Sequence, residues 1–367
     1  MPHLHSLVRL FHRAGVPCDF LTTNPRLLPT GPVRRTLRRG VDVDEDWMAA
    51  ALRWREGHGG RVVLGDDGLL TAVRDSALPP EDQCRLLGIT GPGHLDHVGS
   101  KAGLAEALAR GGVAQPRFRV ARGASDAAAA CAAVGYPVVV KVDRSAGGDG
   151  VFVCRSSADA DALAGRLPPG RLLVQEWVDG ETIDLSGFFG AGRPVHFVHA
   201  EFLETVGGPH APSKRRRYTH PGALGPEVFD AVAGMAAALG LDGFANLTAM
   251  RRRDDGALLF IEADLRPNVW VEMSRHMGDD PAPSIGAWLE RGETMARPRP
   301  PDGPATLEIA YLFRLRPRDA WLNRHGAWRQ FADHDPWRVV CFLAGGRING
   351  WARSVARRFR RHDGPAR

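Results

Sequence analysis

Hydrophobic and polar positions alternate along this chain with two periods, and the periods change at glycine, proline and serine. Residues 4–14 place apolar side chains at helical spacing, and VPCDFLTT (16–23) reads as a strand behind them. DEDWMAAALRWREG repeats the unit with Trp47, Ala50, Ala51 and Trp54 on one helical face, followed by RVVLGDDG (61–68), which reads as a second strand. The Pro- and Arg-rich stretch 24–40 between them predicts a loop without an element. Helix–strand alternation of this kind points to an α/β layer, here starting at a helix and therefore shortened.

From residue 99 the boundaries sharpen. Ser100 is placed to cap a helix KAGLAEALAR that stops at Gly111, and Ser125 to cap one that stops at Gly135. FRVA, PVVVKV, VFVC and LLVQEWV read as strands, DADALAGRL as a helix, and TIDLSGFFGAGRPVHFVHAEF as a strand pair. A long polar loop is expected over 203–222, then a helix PEVFDAVAGMAAALG and a hairpin FANLTAMRRRDDGALLFIEADLR that turns at Asp255 and Gly256. Pro298, Pro300, Pro301 and Pro304 mark a linker into a C-terminal stretch. That stretch includes RINGWARSVARRFRR, whose Ile348, Trp351, Val355 and Phe359 share a helical face.

Composition narrows the class. The 367 residues include 44% hydrophobic and 25% charged positions, ordinary for a globular chain with a buried core. No run approaches the roughly 18 apolar residues of a membrane span, and the N-terminus lacks the apolar region of a signal peptide. Five scattered cysteines without CxxC spacing predict neither a disulfide framework nor a zinc site, and a reducing cytoplasm is expected. The net charge of +6 is concentrated at residues 297–367, where fifteen arginines face six acidic residues. Only Lys101, Lys141 and Lys214 are lysine among 48 cations, which marks them, because a compact ammonium and a planar guanidinium differ at tight phosphate contacts.

Candidate chemistry concentrates in three places. Along residues 258–266, period-two alternation puts Leu259, Ile261, Ala263 and Leu265 on one face, and Glu262, Asp264 and Arg266 on the other. Two carboxylates two residues apart on one strand face suit a cation such as Mg²⁺ bridging phosphates; the segment taken alone reads first as a solvated edge strand. Lys141 ends an apolar strand beside SAGGDG (145–150), a loop able to close backbone N–H groups over phosphates, or else an ordinary hairpin turn. Neither GxxxxGK[ST] nor GxGxxG is present. Gln175, Glu176, Trp177 and Val178 end a strand whose backbone could read an adenine edge, with Glu181 or Asp184 receiving ribose hydroxyls.

The order of these elements, with Lys101 opening a helix, Lys141 before SAGGDG, then QEWVDG and an IEADLRPN hairpin, resembles the ATP-grasp superfamily over residues 95–296. Stand-alone carboxylate–amine ligases, and proteins similar to one half of the carbamoyl-phosphate synthase large subunit, share the pattern. The resemblance implies an α/β and α+β architecture: an ATP-grasp fold preceded by a shortened Rossmann-like domain. Its divisions would be 1–97 for the N-terminal α/β domain, 98–178 for the lid subdomain, 179–296 for the subdomain with the Mg²⁺ site, and 297–367 for the basic C-terminal segment. By the same resemblance, Lys101 and Lys141 contact ATP phosphates, Gly147, Gly148 and Gly150 lie in the lid, and Glu176, Trp177, Val178, Glu181 and Asp184 hold the nucleoside. Glu262 and Asp264 ligate Mg²⁺, with Mn²⁺ able to substitute. Arg266 and Asn268 face the transferred phosphoryl group and the substrate.

The chain departs from the pattern at Asp264, where relatives carry Asn, and at Thr248, where they carry Gln. Its GETID is also shorter than the usual ribose-binding segment. The activity implied is ADP-forming ligation of a small-molecule carboxylate to an amine through an acylphosphate. A nucleotide-binding protein without ligase activity is the alternative. The loop 207–222 offers Lys214 and Arg217 as catalytic cations and Arg216 and His210 as substrate contacts, or a solvated charge run. Trp270, Glu272, Ser274, Arg275 and His276 line an acceptor pocket or pack. No specific nucleic-acid partner is expected, a homodimer is allowed for, and the basic C-terminal helix either docks internally or meets an anionic membrane or protein.

Overall fold

Strand pairing builds the molecule around two antiparallel sheets. The computed structural model describes residues 2–22, 33, 35–38, 46–145, 150–205, 213–268, 271–294, 298–310 and 321. The C-terminal amphipathic stretch, Gly147, Gly148, His210 and Trp270 lie outside them.

The N-terminal part runs α1 (Pro2–Arg13), β1 (Asp19–Thr22), β2 (Arg35–Arg38), α2 (Trp47–His58), α3 (Asp67–Arg74) and α4 (Pro80–Leu87). β1 and β2 form a two-stranded parallel pair, so the stretch 24–40 contains an element that its Pro and Arg content concealed. The strand expected at 61–68 is absent: residues 61–65 form no ladder, and Asp66 caps α3 by accepting the Leu69 N–H at 2.9 Å. An Asp at this position satisfies one of the orphan donors of a helix start, and here that local preference prevailed over alternation.

Next come α5 (Lys101–Arg110), β3 (Phe118–Ala121), α6 (Ala124–Val134), β4 (Val138–Val142), β5 (Val151–Cys154), α7 (Ser157–Ala164) and β6 (Leu172–Glu176). Ser100 caps α5 through the Gly103 N–H, as expected. Ser125 does not cap α6; it lies inside the helix, which starts at Ala124 behind Gly123. The four strands form a sheet in the order β3-β6-β4-β5, with Cys131, Val134, Val138, Val140 and Val174 in its small core under α6 and α7.

The larger sheet comprises β7 (Gly180–Asp184), β8 (Gly187–Gly190), β9 (Arg193–Phe197), β10 (His199–Thr205), β11 (Ser213–Thr219), β12 (Phe244–Arg252), β13 (Leu258–Asp264) and β14 (Thr306–Ala310), with α8 (Pro226–Leu239) and α9 (Pro281–Arg291) packed beside it. Its order is β14-β11-β10-β7-β12-β8-β9, and β13 also pairs with β12. The described residues of the expected loop 203–222 are mostly strand: β10 extends to Thr205, and β11 is SKRRRYT, paired on both sides. An apolar alternation was missing there because β11 answers its neighbours with charge, Arg217 standing between Glu201 and Glu308.

Registers assign the faces, since directly paired residues of antiparallel strands project to the same side. One face carries Glu262, Thr248, Asp184, Ala200, Tyr218, Asp264 and Asn246. The other carries Ile183, Ala249, Glu201, Arg217 and Glu308. Ile183, Leu247, Ala249, Phe260 and Leu265 join Leu104 and Leu108 of α5 and Val232, Met235 and Leu239 of α8 in the main core, which continues into α2, α3 and α4. In β13 the register steps from Thr248↔Glu262 to Ala249↔Phe260, leaving Ile261 as the extra residue of a bulge. Simple alternation therefore fails at that point: Phe260, rather than Ile261, shares the core face with Ala263 and Leu265.

Candidate active site

β4 leads directly into the site. Asp143, one residue past the strand and buried, accepts hydrogen bonds from Ser100 Oγ and the Ala102 N–H, both at 2.8 Å, and its own carbonyl accepts the Lys101 N–H at 3.3 Å. One carboxylate thus neutralises the N-terminus of α5 and ties it to the end of β4, which brings Lys101 and Lys141 together. The Lys101 ammonium donates to the Ser145 carbonyl and hydroxyl, the latter at 3.2 Å. Sequence reasoning missed Asp143; its only signal was a place two residues after Lys141.

Both ammonium groups feel Glu262 of β13, and Lys101 feels Asp264 as well. Burial pushes Lys141 down to about 8, against the pull of Glu262 and helped by the like charge of Lys101. Burial also lowers Lys101, opposed by Glu262, Asp143 and Asp264. Asp264 moves the other way: burial first, and then the charge of Glu262, hold its carboxyl well above the ordinary range, while Arg266 and an Asn246 hydrogen bond oppose the rise. Two cations and two carboxylates from separate elements therefore converge, and the carboxylate pair carries repulsion that a cation between its members would relieve.

The remaining predicted residues divide. Glu176, Trp177 and Val178 occupy the crossover from the small sheet to the large one; the Glu176 and Trp177 N–H groups are taken by the carbonyls of Arg117 at 2.9 Å and Pro137 at 3.0 Å. Glu176 pairs with Arg117 at 2.5 Å, Trp177 is partly exposed and Val178 is buried. Glu181 is exposed on β7 opposite Arg251. Gly150 has φ near +75° and its N-terminal neighbours lie outside the described residues; a Cβ there would meet Val142 at 2.9 Å.

Asp184 does not fit the ribose role. It is fully buried, and its oxygens accept from the Ser186 N–H at 2.8 Å, the Ser186 hydroxyl and Arg216. Arg216 is buried as well, bound to Ser213 Oγ at 2.5 Å and stacked 4.4 Å from the Phe202 ring centroid, so it does not present a free guanidinium to substrate. Arg217 does not fit a catalytic role: it lies on the sheet face opposite Glu262 and pairs with Glu308 at 2.9 Å and Glu201 at 3.3 Å. Lys214 pairs with Glu204 at 2.5 Å.

Arg266 reaches the Asp67 carboxylate at the start of α3, one contact at 3.0 Å, and Asp264 at 3.8 Å. Asn268 donates to Asn246 Oδ1 at 2.7 Å. Glu272 and Ser274 are buried, Glu272 against Arg13 of α1, so packing rather than pocket lining is their role; Arg275 joins the same pair from 3.9 Å.

The donor set suits Mg²⁺. No group of three or more His, Cys, Asp and Glu placed to hold a metal ion by themselves occurs among the described residues. Two oxygen-donating carboxylates with phosphate oxygens and water are the usual holding set for this cation.

Residues 99–184 match the family model of the RimK-like ATP-grasp domain. Among curated proteins the chain is similar to the formate-dependent phosphoribosylglycinamide formyltransferase of Janthinobacterium sp. (strain Marseille), 32% identical over 163 residues, which are 41% of this chain and 39% of that protein. The chain thus matches well under half the length of this relative. Among solved structures, N5-carboxyaminoimidazole ribonucleotide synthetase from Thermus thermophilus superposes with a TM-score of 0.60 at 19% identity, covering 89% of this chain and 85% of that one. The biotin carboxylase domain dimer of Hydrogenobacter thermophilus 2-oxoglutarate carboxylase, in complex with MgADP, ADP and bicarbonate, gives 0.58 at 16% identity, covering 81% and 69%.

Proposed function

We propose, from the premise that this chain has the ATP-grasp fold, that it is an ATP- and Mg²⁺-dependent, ADP-forming ligase that activates a carboxylate and joins it to an amine. The convergence of Lys101 and Lys141 on Glu262, with Asp264 also facing Lys101, carries the reading. Glu262 and Asp264 would hold Mg²⁺, which neutralises phosphate charge, while the two ammonium groups bind phosphate oxygens. The Glu176 carbonyl and Val178 N–H would read the adenine edge, and Glu181 the ribose. A substrate carboxylate oxygen attacks the γ-phosphorus as the bond to ADP breaks; the amine then attacks the acyl carbon, phosphate leaves and the nitrogen loses a proton. Arg266 would orient the anionic substrate, exchanging Asp67 for it, with Asn268 alongside.

The divisions at 97, 178 and 296 belong to this proposal, the second supported by the crossover between β6 and β7. So do a cytoplasmic setting, where ATP is supplied, and a homodimer. No helix among the described residues is long and apolar enough to cross a membrane. The relative named formate-dependent and the domain solved with bicarbonate direct the substrate search to small carboxylates first.

The test is thermal unfolding with and without Mg·ATP in the wild type and Glu262→Gln. At a hundredfold excess over Kd a ligand adds about 2.7 kcal/mol. A magnesium-dependent rise lost in Glu262→Gln supports the site, and ADP release is then assayed with formate, bicarbonate and other carboxylates against amines. Equal rises in both proteins overturn it. A second reading, nucleotide binding without ligation, is favoured by Thr248 standing opposite Glu262 where a further metal ligand would be expected; ATP binding without substrate-stimulated ADP release would support it.

A further inference from the structure

A line of polar side chains runs beneath the acidic pair, and two of its members, Ser186 and Asn246, belong to none of the roles above. At one end, Asp264 of β13 stands directly across from Asn246 of β12 on the same sheet face, where the Asn246 amide favours its carboxylate form. Asn246 is in turn engaged on its oxygen: Oδ1 accepts from Asn268 Nδ2 at 2.7 Å and lies within hydrogen-bond reach of the Ser186 hydroxyl. The Ser186 hydroxyl accepts from the same Asn268 amide at 3.2 Å and also lies against Asp184 Oδ1. The Ser186 N–H donates to that Asp184 oxygen at 2.8 Å. At the far end, Arg216 binds the second Asp184 oxygen and is itself held by Ser213 and by stacking over Phe202.

These contacts remove the rotational freedom of one amide. A carboxamide can present either its oxygen or its nitrogen to a neighbour, and the two ends differ only in whether they accept or donate. With Asn246 reversed, its NH₂ would face the NH₂ of Asn268, two donors in opposition. With Oδ1 engaged by Asn268, the nitrogen is the end of Asn246 available to Asp264 across the strand pair, where a carboxylate can only accept. The position matters because β12 offers the acidic pair two residues, Asn246 across from Asp264 and Thr248 across from Glu262. Of these, Asn246 is the one whose amide is held by Asn268 and Ser186, and so linked to the Asp184–Arg216 pair.

We propose that Ser186 and Asn246 are positioning residues that transmit the fixed geometry of the buried Asp184–Arg216 ion pair to the Asp264 carboxylate, setting its orientation for Mg²⁺. This inference rests on the proposed nucleotide site and adds to it. Mg²⁺ demands near-octahedral geometry, so a carboxylate free to rotate binds it less well than one held in place. Groups that orient a metal ligand from behind are worth about 10- to 100-fold in metal affinity. Asp184 and Arg216 thereby acquire a role: they anchor the chain of contacts from inside the sheet and touch neither ribose nor substrate.

The experiment titrates MgCl₂ against saturating ATP and reads the rise in unfolding temperature for the wild type, Ser186→Ala, Ser186→Thr and Asn246→Leu, each also measured without magnesium. The expected result is a Mg²⁺ midpoint raised about 10- to 100-fold in Ser186→Ala and Asn246→Leu, with Ser186→Thr returning toward the wild-type midpoint because it restores the hydroxyl. A role in folding alone would lower the magnesium-free unfolding temperature and leave the midpoint in place. Unchanged midpoints in both Ser186→Ala and Asn246→Leu, beside a clear magnesium-dependent rise in the wild type, overturn the positioning proposal alone. Absence of any such rise in the wild type overturns the nucleotide site, and this inference with it. Should Ser186→Ala fail to fold, the Asn246→Leu midpoint decides.

Discussion

Lys141 shows how one residue's surroundings set its chemistry. It sits in a strand between Leu173 and Val151, and the loss of water brings its pKa down to about 8. Polyphosphate binding would place negative charge against it and raise that value again. At pH 9 the free protein then carries a largely neutral Lys141, and ATP binding takes up close to one proton; at pH 7 the lysine is already charged and contributes no uptake. Calorimetry in buffers of different ionisation enthalpy counts these protons, and an equal count at pH 9 in Lys141→Met would remove the lysine from the phosphate site. The same variant should lower ADP formation at least 100-fold, the scale expected when a preorganised charge is lost from a transition state. Lys141 was readable in the sequence because it terminates a run of valines. Asp184 was misread because an acidic residue after a strand looks the same whether it faces a ligand or, as here, an arginine 32 positions away.

Elements show a second limit of reading. The β12–β13 hairpin was legible from its turn and its apolar positions, whereas the bulge at Ile261 was not, since a bulge is defined by what lies on the partner strand. β11 was hidden altogether: SKRRRYT lacks an apolar rhythm, and only the carboxylates of β10 and β14 make it a strand. The junction of β4 with α5 is the element-scale feature most open to test. Asp143→Ala leaves the Ser100 hydroxyl and the Ala102 N–H without their acceptor and should cost about 2 kcal/mol, as loss of a buried helix cap does. Urea unfolding measures the cost. Because the same carboxylate sets the distance between Lys101 and Lys141, ATP affinity should fall as well, whereas a purely local cap would leave it unchanged.

Across the whole molecule, long-range ion pairs join parts that the sequence presents as separate. Arg266 meets Asp67 across 199 positions, and Arg13 of α1 meets Glu272 and Asp280 across more than 250. Burial raises the Glu272 carboxyl, and Arg13 opposes the rise. Arg13→Ala should therefore cost about 3 kcal/mol at pH 7, the scale of an uncompensated buried charge. The sign with pH follows from proton binding: a folded carboxyl with a raised pKa holds more protons than the unfolded one, so stability falls as pH rises above the ordinary glutamate range. The variant's deficit should thus be larger at pH 7 than at pH 4.5, and an equal deficit at both would show that Arg13 acts through packing.

The sequence by itself determined most of the helices and strands, α3, α4 and α9 being exceptions, and marked Lys101, Lys141, Glu262 and Asp264, because periodicity, caps and turn residues act within a few positions of the chain. Only the tertiary structure decided which charges gather at the candidate site and which are spent on one another. Arg216 and Arg217 are adjacent in sequence, yet one binds Asp184 inside the sheet and the other binds Glu201 and Glu308 on the opposite face. The physical reason is that a charge's role depends on its partner and its exposure to water, and both are set by strands brought together from distant parts of the chain.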